Sequence, residues 1–318
     1  MLPSLESRQR PDLSVVIVSW NVRHLLRECL ASVRDSQKTS PQMSIETIVV
    51  DNASTDGSAE MVRQDFAQVI LIANTDNPGF TGGNNQGIVA SRGRYVLLLN
   101  PDTRVLDDAL ARMVAYMEAH PAVGALGPML LNPDGSVQSS RRRFPTPLTP
   151  FLESTVFQSW FPRHRILSEY YVLDQDDHTT SEVDWVTGAC LLARRTAFDQ
   201  VGLLDQGFFM YSEELDWCHR AKASGWRVIY YPEAQVIHHG GQSSEQVKAF
   251  QIIRFNRSKI RYSARYHGVV LAALLRLFLL LNYCYLLVIE TAKWSVGHKR
   301  PLRRQRMQAY WQVVTSRL

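Results

Sequence analysis

The chain reads as an α/β protein with a mostly parallel central sheet, followed by a C-terminal helical segment suited to a membrane. Three observations carry that reading. Apolar β-branched runs alternate with amphipathic ones through the first 130 residues. Several of the apolar runs end in polar residues. Near the C-terminus an apolar stretch is bounded on both sides by basic residues. Strand, helix, strand in repetition implies right-handed crossovers and parallel pairing.

The elements follow in order. LSVVIVSW (13–20) is continuously apolar, as a strand buried on both faces should be. Leu25, Leu26, Cys29, Leu30 and Val33 then recur at helical spacing. IETIVVD (45–51), VILIAN (69–74), YVLLLN (95–100) and VGALGPML (123–130) are further strands, with helices expected from about Ser58, Gly83 and Asp107. After Pro133 the alternation stops. Residues 144–180 are rich in Pro, aromatic and polar residues and read as a long irregular excursion. VDWVTGACLLARR (183–195) is expected to be a strand, and WRVIYYPEAQVIHH (226–239) a strand, a turn and a strand. Everything beyond is helical. No internal repeat is present. The expected organisation is a polar tail over 1–12, a larger domain over 13–245 with halves 13–130 and 131–245, and a helical region over 246–318.

Composition narrows the class. A hydrophobic fraction of 45% supplies a substantial core and excludes wholesale disorder. Lys and Arg (35) exceed Asp and Glu (30) only slightly, but the excess is clustered at Arg141 to Arg143, Arg254 to Arg265 and Lys299 to Arg306. The last two clusters flank GVVLAALLRLFLLLNYCYLLVI (268–289), which points to an anionic membrane surface and not to nucleic acid. Arg276 and Asn282 interrupt that stretch and Glu290 ends it, so it reads as a helix in one leaflet, with a single span or a homodimer interface as alternatives. The N-terminal MLPSLESRQRPDL is polar, without a signal peptide. Cys29, Cys190, Cys218 and Cys284 lack metal-ligand spacing and read as buried thiols of a reducing compartment.

Ligands of parallel sheets bind beyond the carboxyl ends of the strands. Here those ends carry Asn21, Asp51-Asn52, Asn74 and Asn100-Pro101-Asp102. Asp51 could accept from a base N–H or a ribose hydroxyl, or could cap the next helix. NTDNPGFTGGNNQG (74–87), with Asn77, Gly79, Gly83 and Asn84, is a glycine-rich turn entering a helix, neither GxGxxG nor a P-loop. Asp102 is placed to hold a divalent cation. In QVIHHGGQS (235–243), strand alternation sends His238 and His239 to opposite faces, so one of them is expected in the site. FFMYSEELDWCHRAK (208–222) sets Glu213, Glu214 and Asp216 among aromatic residues at a helix start. Such a cluster is either helix-start acids or a base set in an apolar wall.

The succession SVVIVSWN, VVDNASTDGS, NPGFTGGNNQG, LLLNPDT, VDWVTGACLLARR, FFMYSEELDWCHRAKASGW and VIHHGGQSS resembles bacterial family 2 glycosyltransferases, in the rhamnosyltransferase-like branch of O-antigen and exopolysaccharide assembly. The resemblance covers roughly residues 13–265. It implies a GT-A fold, inversion at the anomeric carbon, a divalent cation (Mg²⁺ or Mn²⁺), and a nucleotide-diphosphate sugar donor, dTDP- or UDP-linked. It further implies a lipid-linked saccharide acceptor at the cytoplasmic face of the bacterial inner membrane. Asp51 matches the nucleoside-binding acid. Asn100 and Asp102 occupy the D-x-D metal position, with Asn in place of the first Asp. His238 matches the metal- or phosphate-binding histidine. Trp185, Gly188 and Ala189 match the segment lining the acceptor and donor sugar. The family's Glu-Asp motif falls on Glu213-Glu214, which makes Glu214 the first choice for the base that deprotonates the acceptor, with Glu213 and Asp216 as the other two. A sugar-nucleotide nucleotidyltransferase would need a glycine-rich basic loop after the first strand, where this chain has SWNVRHLL. A non-catalytic glycan- or lipid-binding relative is the remaining alternative, and Asn100 and Glu214 are the departures that favour it.

Overall fold

A computed structural model describes residues 10–240, 248–316 and 318; most of the polar tail and the Gly241 side of the His-His-Gly-Gly turn lie outside the described residues. The elements run β1 (Leu13–Ser19), α1 (Arg23–Thr39), β2 (Ile45–Asp51), α2 (Ser58–Asp65), β3 (Ile70–Ala73), α3 (Gly79–Ala90), β4 (Tyr95–Leu99), β5 (Thr103–Val105), α4 (Ala109–Ala119), β6 (Val123–Leu131), β7 (Val137–Gln138) and β8 (Arg141–Arg142). They continue with α5 (Thr149–Leu152), α6 (Val156–Trp160), α7 (Arg165–Tyr170), β9 (Ser181–Val183), β10 (Trp185–Val186), β11 (Cys190–Arg194), α8 (Arg195–Val201), α9 (Glu213–Ala223) and β12 (Arg227–His238). Three long helices close the chain, α10 (Lys248–His267), α11 (Val269–Ser295) and α12 (Arg300–Thr315). Packing divides the chain into two compact units. One comprises residues up to Arg142 with Gln175–Gln206 and Glu214–Gly240; the other comprises Arg143–Asp174, Gly207–Glu213 and the C-terminal region from Gly241.

The first unit holds a ten-stranded sheet of order β3-β2-β1-β4-β11-β6-β12-β5, with β7 on β6 and β9 on β12. β1 is buried along its whole length because β2 and β4 flank it in parallel, and helices cover its faces. The register pairs Ser19 with Asp51 and Ile17 with Leu99, so the carboxyl ends of β1, β2 and β4 align. β11 is the strand that reverses. It runs antiparallel to both β4 and β6, with Cys190 opposite Leu99. Its beginning therefore lies where the parallel strands end, which carries residues 187–189 to the same edge.

Three local expectations are corrected. The stretch 183–195 is two strands: β10 pairs with β8 in a separate ribbon, and β11 enters the main sheet. The stretch 226–239 is one strand, with a register shift between Tyr231 and Gln235 that absorbs Pro232, a residue unable to donate to the ladder. The glycine-rich segment is already helical from Gly79. Its glycines let α3 lie directly on β1: a Cβ at Gly87 would stand 2.3 Å from Val16 Cγ1, and one at Gly83 would stand 2.8 Å from Val18 Cγ1. Both valines are buried and β-branched, so they cannot swing aside. Gly87→Ala is expected to cost about 1–3 kcal/mol by overpacking, read as a lower urea midpoint at unchanged slope.

In the second unit, α11 packs against α10 and α12 around Leu275, Leu279, Tyr283 and Val313. Cys29, Cys190 and Cys218 are buried free thiols, but Cys284 is exposed, contrary to the sequence expectation, because α11 turns that side outward.

Candidate functional site

At the ends of β1 and β2, Asn21 and Asp51 organise one loop. Asp51 Oδ2 accepts from Ser54 N at 3.0 Å, and Asn21 Oδ1 accepts from Thr55 N at 2.8 Å. Asn21 holds this position at φ +53°, a left-handed conformation that asparagine tolerates better than most residues. Asp51 does not cap α2, whose N-cap is Gly57; Asp56, just before it, accepts from Ser58 N at 3.0 Å. The other Asp51 oxygen, Oδ1, is buried without a partner. A buried carboxylate oxygen left unpaired is costly unless a ligand donor reaches it. Beside it Asn52 donates to Gly79 O and accepts from Asn74, which also donates to Gln86. Asn77 Oδ1 accepts from Gly79 N at 2.9 Å and starts α3. Gly83 and Asn84 are both buried in α3. Gly83 is packed on Val18, and the buried Asn84 donates to Phe80 O within its own helix.

At the end of β4, Asn100 N donates to Ala189 O at 2.9 Å, tying the 100–102 turn to the start of β11. Asp102 is buried, with Oδ1 3.3 Å from His238 Nε2. Asn100 Nδ2 lies 3.3 Å from the same nitrogen, and Asn100 Oδ1 is buried without a partner. The other imidazole nitrogen, Nδ1, meets Gln138 Oε1 at 2.7 Å. The Gln138 amide is oriented by its own donations from Nε2 to Asn132 Oδ1 and His238 O. Its Oε1 can only accept, so Nδ1 carries a proton, and a lone pair on this ring can stand only at Nε2. A carboxylate oxygen and an imidazole lone pair 3.3 Å apart repel unless a cation or a proton sits between them. This donor set suits a divalent cation that takes its remaining ligands from phosphate oxygens and water; among the described residues no cluster of three His, Cys, Asp or Glu forms a self-sufficient metal cage. His239 is on the opposite face, lining a separate cavity of about 480 Å³ with Ile237 and Arg104. Gln138 had escaped the sequence reading. A two-residue strand has no recognisable pattern, and only its pairing with β6 brings it to His238.

Glu214 lies in the first turn of α9. Its Oε1 accepts from Gly188 N at 3.2 Å, and its Oε2 is buried without a partner. Gly188 precedes Ala189, whose carbonyl holds Asn100, so two adjacent residues link the carboxylate to the Asn-Pro-Asp turn. Burial pushes the Glu214 carboxyl above the ordinary carboxylate range; the N–H groups of Glu214, Gly188 and Leu215 and the Arg142 guanidinium pull it partly back. Arg142 also lies over the Trp185 ring at 6.0 Å. Asp216 is not part of this arrangement. It is fully buried and pairs with Arg220 at 2.9 Å, and Arg220 donates to Val201 O and Leu203 O, pinning that loop to α9. Glu213 is buried at the start of α9 and is assigned to the second unit. The two residues before it, Tyr211 and Ser212, both take left-handed φ values of 71° and 65°, a strain of the kind that gathers at functional sites.

A buried acid at the end of β2, an Asp–His pair and a buried glutamate oxygen thus belong to the first unit. The sequence profile of Glycosyl transferase family 2 covers residues 14–219. The chain belongs to that family. This glycosyltransferase is 29% identical, over 80% of its length and 85% of the relative's, to the N-acetylglucosaminyl-diphospho-decaprenol L-rhamnosyltransferase of Mycobacterium tuberculosis. It is 27% identical to the rhamnosyltransferase WbbL of Escherichia coli, over 59% of this chain and 70% of that one. Its fold is GT-A. The mannosyltransferase PcManGT from Pyrobaculum calidifontis, solved with GDP-Man and Mn²⁺, superposes at TM-score 0.57 with 17% identity, covering 97% of this chain and 87% of that one.

Proposed function

We propose that this glycosyltransferase is inverting and divalent-cation-dependent, and that it moves rhamnose from a dTDP-linked donor to a lipid-linked saccharide at the cytoplasmic face of a bacterial membrane. The observation that carries the reading is the unpartnered, buried Glu214 Oε2, joined through Gly188 and Ala189 to the Asn100–Asp102 turn. Asp51 Oδ1 would accept from the donor's base or ribose. Asp102 and His238 Nε2 would hold the cation, with Gln138 keeping Nε2 turned inward; when bound, the cation offsets the charge of the diphosphate leaving group. Glu214 takes the proton of the acceptor hydroxyl as that oxygen forms its bond to the anomeric carbon. The bond from that carbon to the phosphate oxygen breaks at the same time, and the nucleoside diphosphate leaves with the electron pair. A base of raised pKa suits a hydroxyl acceptor better than an ordinary carboxylate does. The choice of rhamnose is supported by the names of both relatives, and that of a prenyl-diphosphate-linked acceptor by the name of the mycobacterial one.

The test is a donor screen. The purified chain is incubated with dTDP-, UDP- and GDP-linked sugars and a prenyl-diphosphate-linked N-acetylglucosamine acceptor, and nucleoside diphosphate release is measured with and without chelator. Release from dTDP-rhamnose with inverted product linkage, abolished by chelator, is expected. No release from any donor would overturn the reading.

A further inference from the structure

α11 is the one helix among the described residues that is long and apolar enough to cross a bilayer. Its geometry argues for a different placement. Val270, Leu274, Leu277, Leu281, Tyr285 and Val288 are 43 to 73% exposed and recur at three-, four- and seven-residue steps, so they form one stripe along the helix. The opposite face is buried within the second unit and is partly polar. Asn282 Oδ1 accepts from Val156 N, Tyr283 OH accepts from Asn256, and Glu290 is paired with Arg303 at 2.8 Å and Arg306 at 3.5 Å. Trp160, at the end of α6, meets Tyr285 edge-on at 6.1 Å, and with Phe161 it widens the exposed apolar surface.

The surrounding charge identifies the occupant. Residues 248–318 carry 14 Lys and Arg against a single acid, Glu290, although the whole chain is only +5. Arg257, Arg261, Arg265, Arg276, Arg300 and Arg304 are all exposed. A second copy docked on the stripe would bring two such cationic rims together, whereas an anionic headgroup layer complements one. Crossing the bilayer would also draw α10 and α12, packed on α11, and their cations toward hydrocarbon, which ionised side chains resist.

We propose that α11 lies in the plane of one anionic leaflet, with its exposed stripe at the acyl-chain boundary and the basic residues of α10 and α12 among the headgroups. This rests on the lipid-linked acceptor reading and specifies how the enzyme meets that substrate's membrane.

Native thiols supply the reporter. Cys284 is exposed on the stripe side, while Cys29, Cys190 and Cys218 are buried. With the purified full-length protein, phosphatidylcholine vesicles containing phosphatidylglycerol are expected to bind it about tenfold or more tightly than phosphatidylcholine alone, with the difference lost at high salt. Bound vesicles should protect Cys284 from a water-soluble maleimide. The Leu277→Glu, Leu281→Glu double variant should lose binding while its circular-dichroism melt and donor hydrolysis in solution are retained. Single probes at positions 270 and 288, in a Cys284→Ser background, should be quenched at the same shallow depth by spin-labelled lipids. Three outcomes would overturn the proposal: Cys284 remaining reactive on vesicles, a gradient of depth along the helix as in a span, or a stable dimer that buries Cys284 without lipid. Absence of nucleotide-sugar hydrolysis by the wild-type protein would instead count against the transferase reading, so the two failures are distinguishable.

Discussion

Glu214→Gln is expected to lower the rate of sugar transfer by about 10²–10⁴-fold, the usual contribution of a positioned general base, while leaving cation-dependent nucleotide binding intact. It is also expected to raise the melting temperature at pH values where the wild-type Glu214 is ionised. Because burial raises the folded-state pKa of Glu214, the native protein favours the protonated carboxyl more than the unfolded chain does. The stability this provides is fully present below the ordinary glutamate pKa and is lost as pH rises through the raised value. Above that raised value the wild type carries a buried charge that glutamine lacks, and the variant's advantage should fade as the pH is lowered through it. In wild-type turnover the same shift places the rising limb of the pH–rate profile above that of an ordinary glutamate. Transfer at the wild-type rate in the variant would remove Glu214 from the mechanism. Unchanged stability across pH would show that the carboxyl is not desolvated.

Asp102→Ala is expected to abolish the cation dependence of donor binding and to reduce turnover by about 10²–10³-fold, the range for losing a group that stabilises developing charge. Gln138→Leu should act through His238. With no acceptor for the Nδ1 proton the imidazole is free to turn or change tautomer, and Mn²⁺ affinity, measured by calorimetry in the presence of nucleoside diphosphate, should fall about 10–100-fold. Gln138→Glu retains an acceptor at that position and should restore much of the affinity. His239→Ala is the control, since its ring lines the opposite face beside Ile237 and Arg104. Equal effects of His238→Ala and His239→Ala on Mn²⁺ affinity would refute the assignment of Nε2 as a ligand.

Much of the sheet was legible in the chain because burial on both faces leaves a plain signature. The run LSVVIVS could only be an interior strand, and it lies between β2 and β4. The polar strand ends were equally visible, since a parallel sheet brings the ends of its strands to one side. Three features were not. The glycines of 79–87 looked like a loop for a ligand, because a glycine that allows close helix–strand packing has the same sequence pattern as one that admits a phosphate. Asp216 stood as an alternative to Glu214 until Arg220, one turn further along α9, took it into an internal ion pair. Gln138 carried no signal at all.

The residues by themselves determined the parallel half of the sheet, the acidic residues available for catalysis, and the apolar, cation-flanked character of the C-terminal helices. Hydrophobic periodicity and charge are properties of neighbours along the chain, so they survive in one dimension. Only the tertiary structure decided which carboxylate Gly188 meets, which histidine nitrogen stands against Asp102, and which face of α11 is left uncovered. Each of these depends on residues distant in sequence: Gly188 just before the reversed strand β11, Gln138 on β7, and the helices α10 and α12 that cover one side of α11.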